Sequence, residues 1–448
     1  MIKAIQLTAI LFAASFFVNP TSILAQQTSA APLSLKQAIN RSLASNFGIR
    51  IARLRSDISS VNNSWGAAGA LPSLSTSIAG SSAISDQTRN PTSFLQEVIE
   101  SESINSSLNL NWTLFDGLGM YASKTRLELL EAQSSGQASL IVEQTVEAVD
   151  MAYHNVLLQT ELLSVLAESM SLSRDRLLEI KWSESYGASG TFDRLQFENA
   201  ILADSTSWLK QGVAVKSSLR NLNLLMGDSE DSMWILTDVL KSPPSLPSSI
   251  DVKAAVLQDN TSVQNAIISE NIAHQGVKQA QAFLYPVVGL NASFSDAVSQ
   301  GSFGEEFSGT ARSVNTSAFL TLNFNLFNGG ATLRAISSAK IQADIAAIDQ
   351  EQAMNQAGSL SSNAYDKYIL GVSVYNLSVK ATQNALTSLE IAETSYKNGV
   401  INALDYRTLE IALQSARVNE LNSLFVWRGA YLEVSRLMGA LRAPLLSE

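Results

Sequence analysis

The sequence predicts a mainly α chain with a membrane β-barrel part, internally duplicated, with four strands and long coiled helices in each chain. Three observations carry that prediction. The 448-residue chain repeats itself at a constant offset. Each half holds a stretch of strict polar–apolar alternation, "SLNLNWTLFDGLG" from Ser107 and "FLTLNFNLFNGG" from Phe319. Each stretch feeds a helical pattern of about sixty residues, where an average globular helix has about 11–12.

The elements follow in order. Residues 1–25 read as a secretory signal peptide: Lys3, an apolar run from Leu7 to Val18, and Ala25 before a cut at Gln26. That run is too short to span a bilayer, and no later run is long enough. Residues 26–230 form the first repeat. It reads as a helix over Ser34–Ala70, a strand opened by Pro72, a polar loop, the alternating strand, a helix over Met120–Lys181, and a further helix after a break at Tyr186-Gly187. Residues 231–250 are a linker in which Pro243, Pro244 and Pro247 forbid helix. Residues 251–442 repeat the plan with helices over Asp251–Phe283 and Ala331–Glu393 and a break at Asn398-Gly399, and 443–448 are a tail.

Sliding the chain by 212 places Leu108, Leu110, Asn111, Leu114, Phe115 and Gly117 on Leu320, Leu322, Asn323, Leu326, Phe327 and Gly329. The same register pairs Gly187 with Gly399, Asp193 with Asp405, Glu198 with Glu410, and Leu225-Met226-Gly227 with Leu437-Met438-Gly439. Upstream the offset is 214, from Leu71-Pro72 to Tyr285-Pro286.

Sixty helical residues extend about 90 Å, the reach of a device that crosses a wide aqueous gap. The apolar sides of the strands (Leu108, Leu110, Trp112, Leu114; Leu320, Leu322, Phe324, Leu326) suit lipid, and their Asn/Thr sides suit a watery lumen. A soluble antiparallel sandwich accounts for the alternation equally well, and counting separates the two. Four strands cannot close a membrane barrel, and an open edge cannot sit in lipid. Three chains supply twelve strands and, with four helical tracts each, a twelve-membered helical tube.

With these pieces in order, the chain resembles the TolC-type outer-membrane efflux and secretion channels over nearly all of its length after residue 25. The doubled helix–strand–strand–helix–helix plan, the "L-F-[DN]-G" strand ends and the Gly-x5-Asp turns "GASGTFD" and "GVINALD" carry the resemblance. It implies a homotrimer in the outer membrane of a Gram-negative bacterium, with a β-barrel in lipid and an α-helical barrel in the periplasm. It also implies docking to a periplasmic adaptor (membrane fusion) protein and an inner-membrane pump. In the family the matching turns form the periplasmic entrance. Here they comprise Gly187, Ala188 and Ser189 with Gly399, Val400 and Ile401, as the adaptor contact, and Asp193, Tyr396 and Asp405 as the gate. The resemblance implies a Tyr396–Asp193 hydrogen bond and an Asp405 ring at the constriction. Ile401 stands where some relatives carry arginine, and Thr408 where a second acidic ring would fall. Physical chemistry alone reads the turns more plainly, as glycine ending one helix and an acidic residue starting the next.

Other functions find little in the sequence. The net charge of −10 argues against nucleic acid. The absence of cysteine excludes disulfides, thiolate metal sites and an acylated N-terminal cysteine. No cofactor or metal site and no enzyme is expected. His154 and His274 are far apart and read as polar helix-face residues, "GASG" lacks the nucleophile elbow, and no phosphate-binding loop occurs. Glu143, Glu147 and Asp150 read as a solvated helix face. The alternative of a different class is a trimeric exported coiled-coil stalk or adhesin. Within the channel class, the sequence leaves drug, metal, peptide and protein substrates equally open.

Overall fold

The computed structural model describes residues 31–94, 96–187, 190–303 and 307–445; the signal-peptide segment lies outside them. The first repeat opens with β1 (Ala31–Leu33), α1 (Leu35–Ser45) and α2 (Phe47–Asn62). The strands β2 (Ser73–Asp86) and β3 (Val98–Phe115) lead into α3 (Gly119–Ser185) and α4 (Thr191–Met226). After β4 (Trp234–Leu236) the second repeat runs α5 (Ser249–Asp259), α6 (Thr261–Ala282), β5 (Val287–Phe303), β6 (Phe307–Asn323), α7 (Ala331–Lys397) and α8 (Ala403–Leu437). A 3-10 turn ends the described chain.

Both long helices have 67 residues, about 100 Å of rise, slightly more than the sequence pattern predicts. The expected single helices Ser34–Ala70 and Asp251–Phe283 are each broken in two, and asparagine is the reason. Asn46 ends α1 and its Oδ1 accepts from the Ile49 N–H, capping α2. Asn260, 214 positions on, ends α5 and caps α6 through the Ser262 and Val263 N–H groups. Each side-chain amide also donates to the end of the repeat's last helix: Asn46 to the Leu225 carbonyl at 2.8 Å, and Asn260 to the Leu437 carbonyl at 3.0 Å. The glycine that follows each of those helices, Gly227 or Gly439, has positive φ and lies against the same break.

The two repeats therefore have matching cores. In the first, Ala38, Ala152, Tyr153, Leu222 and Met226 are buried together; in the second, Val252, Ala364, Tyr368 and Val434. The linker is partly structured, since β4 pairs in parallel with β1 and ties the start of the first repeat to its end. Tyr153 strengthens the tie, donating to the Leu33 carbonyl at 2.8 Å and to Asp238 at 2.7 Å.

The four long strands form one antiparallel sheet in the order β2-β3-β5-β6. Its register separates two faces. Directly opposed residues share a face, so Thr76, Leu108, Phe294 and Thr316 form one row and Leu74, Leu110, Ala292 and Ala318 the next. Trp112, Leu290 and Leu320 continue that face, which runs from Ile104 to the level of Phe115, Val288 and Leu322. Those rows span roughly 36 Å of strand, or about 26 Å of height at ~45° tilt, the scale of a lipid-facing band, with the Asp296–Arg312 ion pair in the two rows farthest from the helices. The opposite face is uncharged and polar: Ser77, Ser107, Ser295 and Asn315 in one row, Ser75, Asn109, Ser293 and Ser317 in another. Phe319 stands on this face as well, in the row of Ser73, Asn111 and Asn291. Leu114 also belongs to β3, but β6 ends at Asn323, so Phe324 and Leu326 lie in the connection to α7 and not in a membrane strand. Among the described residues no helix is long and apolar enough to cross a membrane.

One chain does not close a barrel. β2 and β6 keep open edges. Below the sheet the helices pack side by side in the order α2–α3–α6–α7, and farther down in the order α4–α3–α8–α7.

Candidate functional site

The tips of the two helical hairpins lie at the end of the helices away from the sheet. Gly187 (φ +74°) and Gly399 (φ +71°) both take the left-handed conformation, and the space around each is open. Backbone geometry is therefore what requires glycine there. The Gly399 N–H donates to the Tyr396 carbonyl and the Val400 N–H to the Ser395 carbonyl, which closes the end of α7. Val400 is exposed and Ile401 half-buried beside it; Ala188 and Ser189 lie outside the described residues.

The two aspartates occupy different settings. Asp193 turns back to its own helix start, accepting from the Gly190 N–H at 3.4 Å. At Asp405 that work is done by Asn402, whose Oδ1 accepts the Asp405 N–H at 2.8 Å. The exposed Asp405 carboxylate has no partner among the described residues.

No hydrogen bond joins Tyr396 to Asp193 among the described residues. Tyr396 stacks on Tyr406 with centroids 5.5 Å apart, and the Arg176 guanidinium lies over both rings at 5.5 and 4.4 Å. Arg176 donates to the Tyr406 hydroxyl at 2.9 Å and to Glu179 at 2.6 Å, with Glu393 at 3.9 Å. Burial pushes both tyrosine hydroxyls above their ordinary range, although Arg176 pulls each partly back. The fastener between the hairpin tips is thus a cation set against a pair of aromatic rings, linking α3 to α7 and α8.

Just above it, Arg407 of α8 reaches across to the first hairpin. It makes a bidentate pair with Asp204 of α4 (2.7 and 2.9 Å) and donates to the Ser173 hydroxyl of α3 at 2.9 Å. Glu410 lies 3.3 Å away, deeply buried, with one carboxylate oxygen lacking a partner. Burial pushes the Glu410 carboxyl up, and Arg407 offsets only part of that.

The line continues along α3, against α8 and the 3-10 turn that follows it. Arg417 pairs with Glu168, Arg428 with Asp150, Arg436 with Glu147, and Arg442 with Glu143. The first repeat supplies the carboxylates of these four pairs and the second the arginines. This corrects the reading of Glu143, Glu147 and Asp150 as a solvated face: Glu143 is 2% exposed and Asp150 6%. His154 is also buried, its ring against Asp150 at 2.9 Å, whereas His274 is exposed as expected. The described residues contain no His, Asp and Glu group able to hold a metal ion.

The sequence reading missed Arg176, Arg407, Asp204 and the roles of Arg428, Arg436 and Arg442. One signal was present. At the 212 offset, Arg176 faces Ser388, Asp204 faces Ala416 and Arg407 faces Leu195, so the fasteners fall where the two copies disagree.

A half-polar, half-apolar sheet stands above a bundle of helices some 100 Å long, and the plan is duplicated within the chain. Residues 254–440 match the family model described as "Outer membrane efflux protein". The structure is similar to that of CusC, with TM-score 0.74 and 16% identity over 90% of this chain and 91% of that one. It is similar to the CmeC outer membrane channel of Campylobacter jejuni (0.72, 15%, 90% and 85%). It is also similar to the outer membrane protein VceC of Vibrio cholerae (0.69, 17%, 90% and 96%). No curated protein matches in sequence. The resemblance to the TolC-type channels is borne out in the fold of nearly the whole chain, and the family's sequence model matches within the second half.

Proposed function

We propose that three copies of this chain close into one continuous tube, a twelve-stranded β-barrel in the outer membrane above a twelve-membered helical barrel. The observation that carries this is the pair of unpartnered edges. One edge bears β2, then α2 and α4; the other bears β6 and then α7. On α2, Phe47, Ile51, Leu54, Ile58 and Val61 form an exposed stripe at alternating spacings of four and three. On α4, Leu195, Leu202 and Leu209 recur every seven residues, and on α7 Ile341, Ile345 and Ile348 repeat the four–three pattern. These are coiled-coil seams lacking their second helix. Because the two edges differ, copies join head to tail and the rotation closes a ring. A free β-edge in lipid demands the same closure. A stalk or adhesin would have no use for a sheet with a lipid-matched band.

The tube is a passive exit duct of a tripartite efflux or type I secretion system, taking substrates from a periplasmic adaptor and inner-membrane pump to the outside, and it is not an enzyme. The turn residues Gly187 to Ser189 and Gly399 to Ile401 are the adaptor contact. Asp405 lines the gate, because its free carboxylate would recur three times around one axis and attract cations. Tyr396, held through Arg176 and Tyr406, latches the tip; Asp193 serves the latch by shaping the start of α4. The lumen, lined by serine and asparagine, is chemically undemanding, so selectivity resides in the partners.

Single-channel recording of the purified protein in planar bilayers tests the reading. Trimers are expected to give discrete conductance steps with mild cation preference, reduced in Asp405→Asn. A monomeric, water-soluble protein that never conducts would overturn it, and anion preference would remove the Asp405 gate.

A further inference from the structure

A cavity of about 730 Å³ lies directly beneath the sheet, between the start of α3, the end of α6 and the start of α7. Lys278 and Lys340 line it, together with Tyr121, Tyr285, Leu284 and Leu333. Both lysines are exposed, and neither has an ion-pair partner among the described residues, in a chain whose net charge is −10. The four other side chains are each about half exposed or more.

Its position shows which medium it meets. Tyr285 stands two residues before β5, and Gly117 of the cavity wall two residues after β3, so the cavity adjoins the lower rim of the apolar band. Tyr121 is shared with a smaller cavity lined by Trp112 and Leu114, which belong to that band. Through Tyr121 the cavity is continuous with the edge of that band. The cavity sits among α3, α6 and α7, away from the α2 stripe on the opposite edge, and its α7 residues Leu333 and Lys340 come before the α7 stripe that starts at Ile341.

Two unpaired cations beside two tyrosines and a leucine rim, at the level where hydrocarbon gives way to water, match an anionic phospholipid. We propose that this cavity binds the phosphate headgroup of an anionic phospholipid of the periplasmic leaflet, with Lys278 and Lys340 on the phosphate and Leu284 and Leu333 along the first part of the acyl chain. The inference rests on the outer-membrane reading above and adds a lipid site that fixes the depth of the barrel.

The test uses the full-length protein in nanodiscs of phosphatidylcholine containing phosphatidylglycerol, with bound lipid counted by native mass spectrometry. Wild type is expected to retain phosphatidylglycerol over phosphatidylcholine. Lys278→Gln/Lys340→Gln is expected to weaken that retention about 30-fold, and Lys278→Arg/Lys340→Arg to keep it. Glycerol phosphate in solution should compete poorly if the acyl chain contributes; competition as strong as lipid would make the site one for soluble phosphate and overturn the proposal. Equal retention by wild type and the glutamine variant, while both insert and conduct, overturns the lipid site and leaves the channel reading intact. Failure of wild type to enter bilayers overturns both.

Discussion

Replacing Arg407 by alanine deletes four hydrogen bonds at once: two to Asp204, one to Ser173 and one to Glu410. What remains is the more serious consequence. The side chains of Asp204 and Glu410 are only 10% and 3% exposed, so two carboxylates are left together with little water and only the field of Arg176 on Glu410. Leaving one such charge unpaired costs about 3–5 kcal/mol, against about 0–1 kcal/mol for an exposed pair. A loss near 4 kcal/mol raises the local opening of a helix about a thousandfold. Hydrogen exchange read by mass spectrometry should show that acceleration in the first turns of α8 and the facing turns of α3 and α4, with the sheet unchanged. In bilayers the same variant should dwell longer in the open state, because α8 is then held near its tip mainly by Arg176. Burial already holds the Glu410 carboxyl high, so protonation should recover part of the loss as the pH falls toward 4.5, its unperturbed value. Adding Asp204→Asn and Glu410→Gln should recover more, since removing both sides of a buried pair is often nearly neutral. Unchanged exchange in α8 together with unchanged dwell times would refute the reasoning.

Three further outcomes follow from other parts of the molecule. Asn260→Ala should destabilise the second repeat by about 2 kcal/mol, one for the cap and one for the bond to the Leu437 carbonyl, as read from the helical circular dichroism melt; Asn46→Ala, less buried, should cost less. Although burial raises the Asp150 pKa, hydrogen bonds from His154 and Arg428 prevail and hold it below its unfolded value of 3.8. Its contribution is therefore complete above about 3.8 and is lost as the pH falls through the lower folded value, so the melting gap between wild type and Asp150→Asn should close in that acid range. Leu108→Arg, at the centre of the apolar band, should impede membrane insertion at a cost of about 2–4 kcal/mol, whereas Asn109→Arg on the opposite face should insert normally and shift ion selectivity toward anions.

The sequence by itself determined the duplication, the two long helices, the positive-φ glycines at their ends and the two-faced strands. Each is written in local periodicity or in one residue's backbone requirement, and neither depends on what packs alongside. It also showed that one chain's four strands are too few to close a barrel, because the count of alternating stretches needs no tertiary contact. Only the tertiary structure decided what the charges do. Glu143, Glu147 and Asp150 are spaced like any solvated stretch of helix, and they become paired acids, Glu143 and Asp150 buried, because α8 returns antiparallel to α3 and brings arginines of α8 and the turn after it into register. The breaks at Asn46 and Asn260 were hidden for a related reason: an asparagine within a helical pattern is tolerated, and it ends the helix here because its amide finds the last carbonyls of α4 or α8. Arg176 was hidden most completely. Its partners, Tyr396 and Tyr406, lie more than two hundred residues away, and only the packing of one hairpin tip on the other places the cation against their rings.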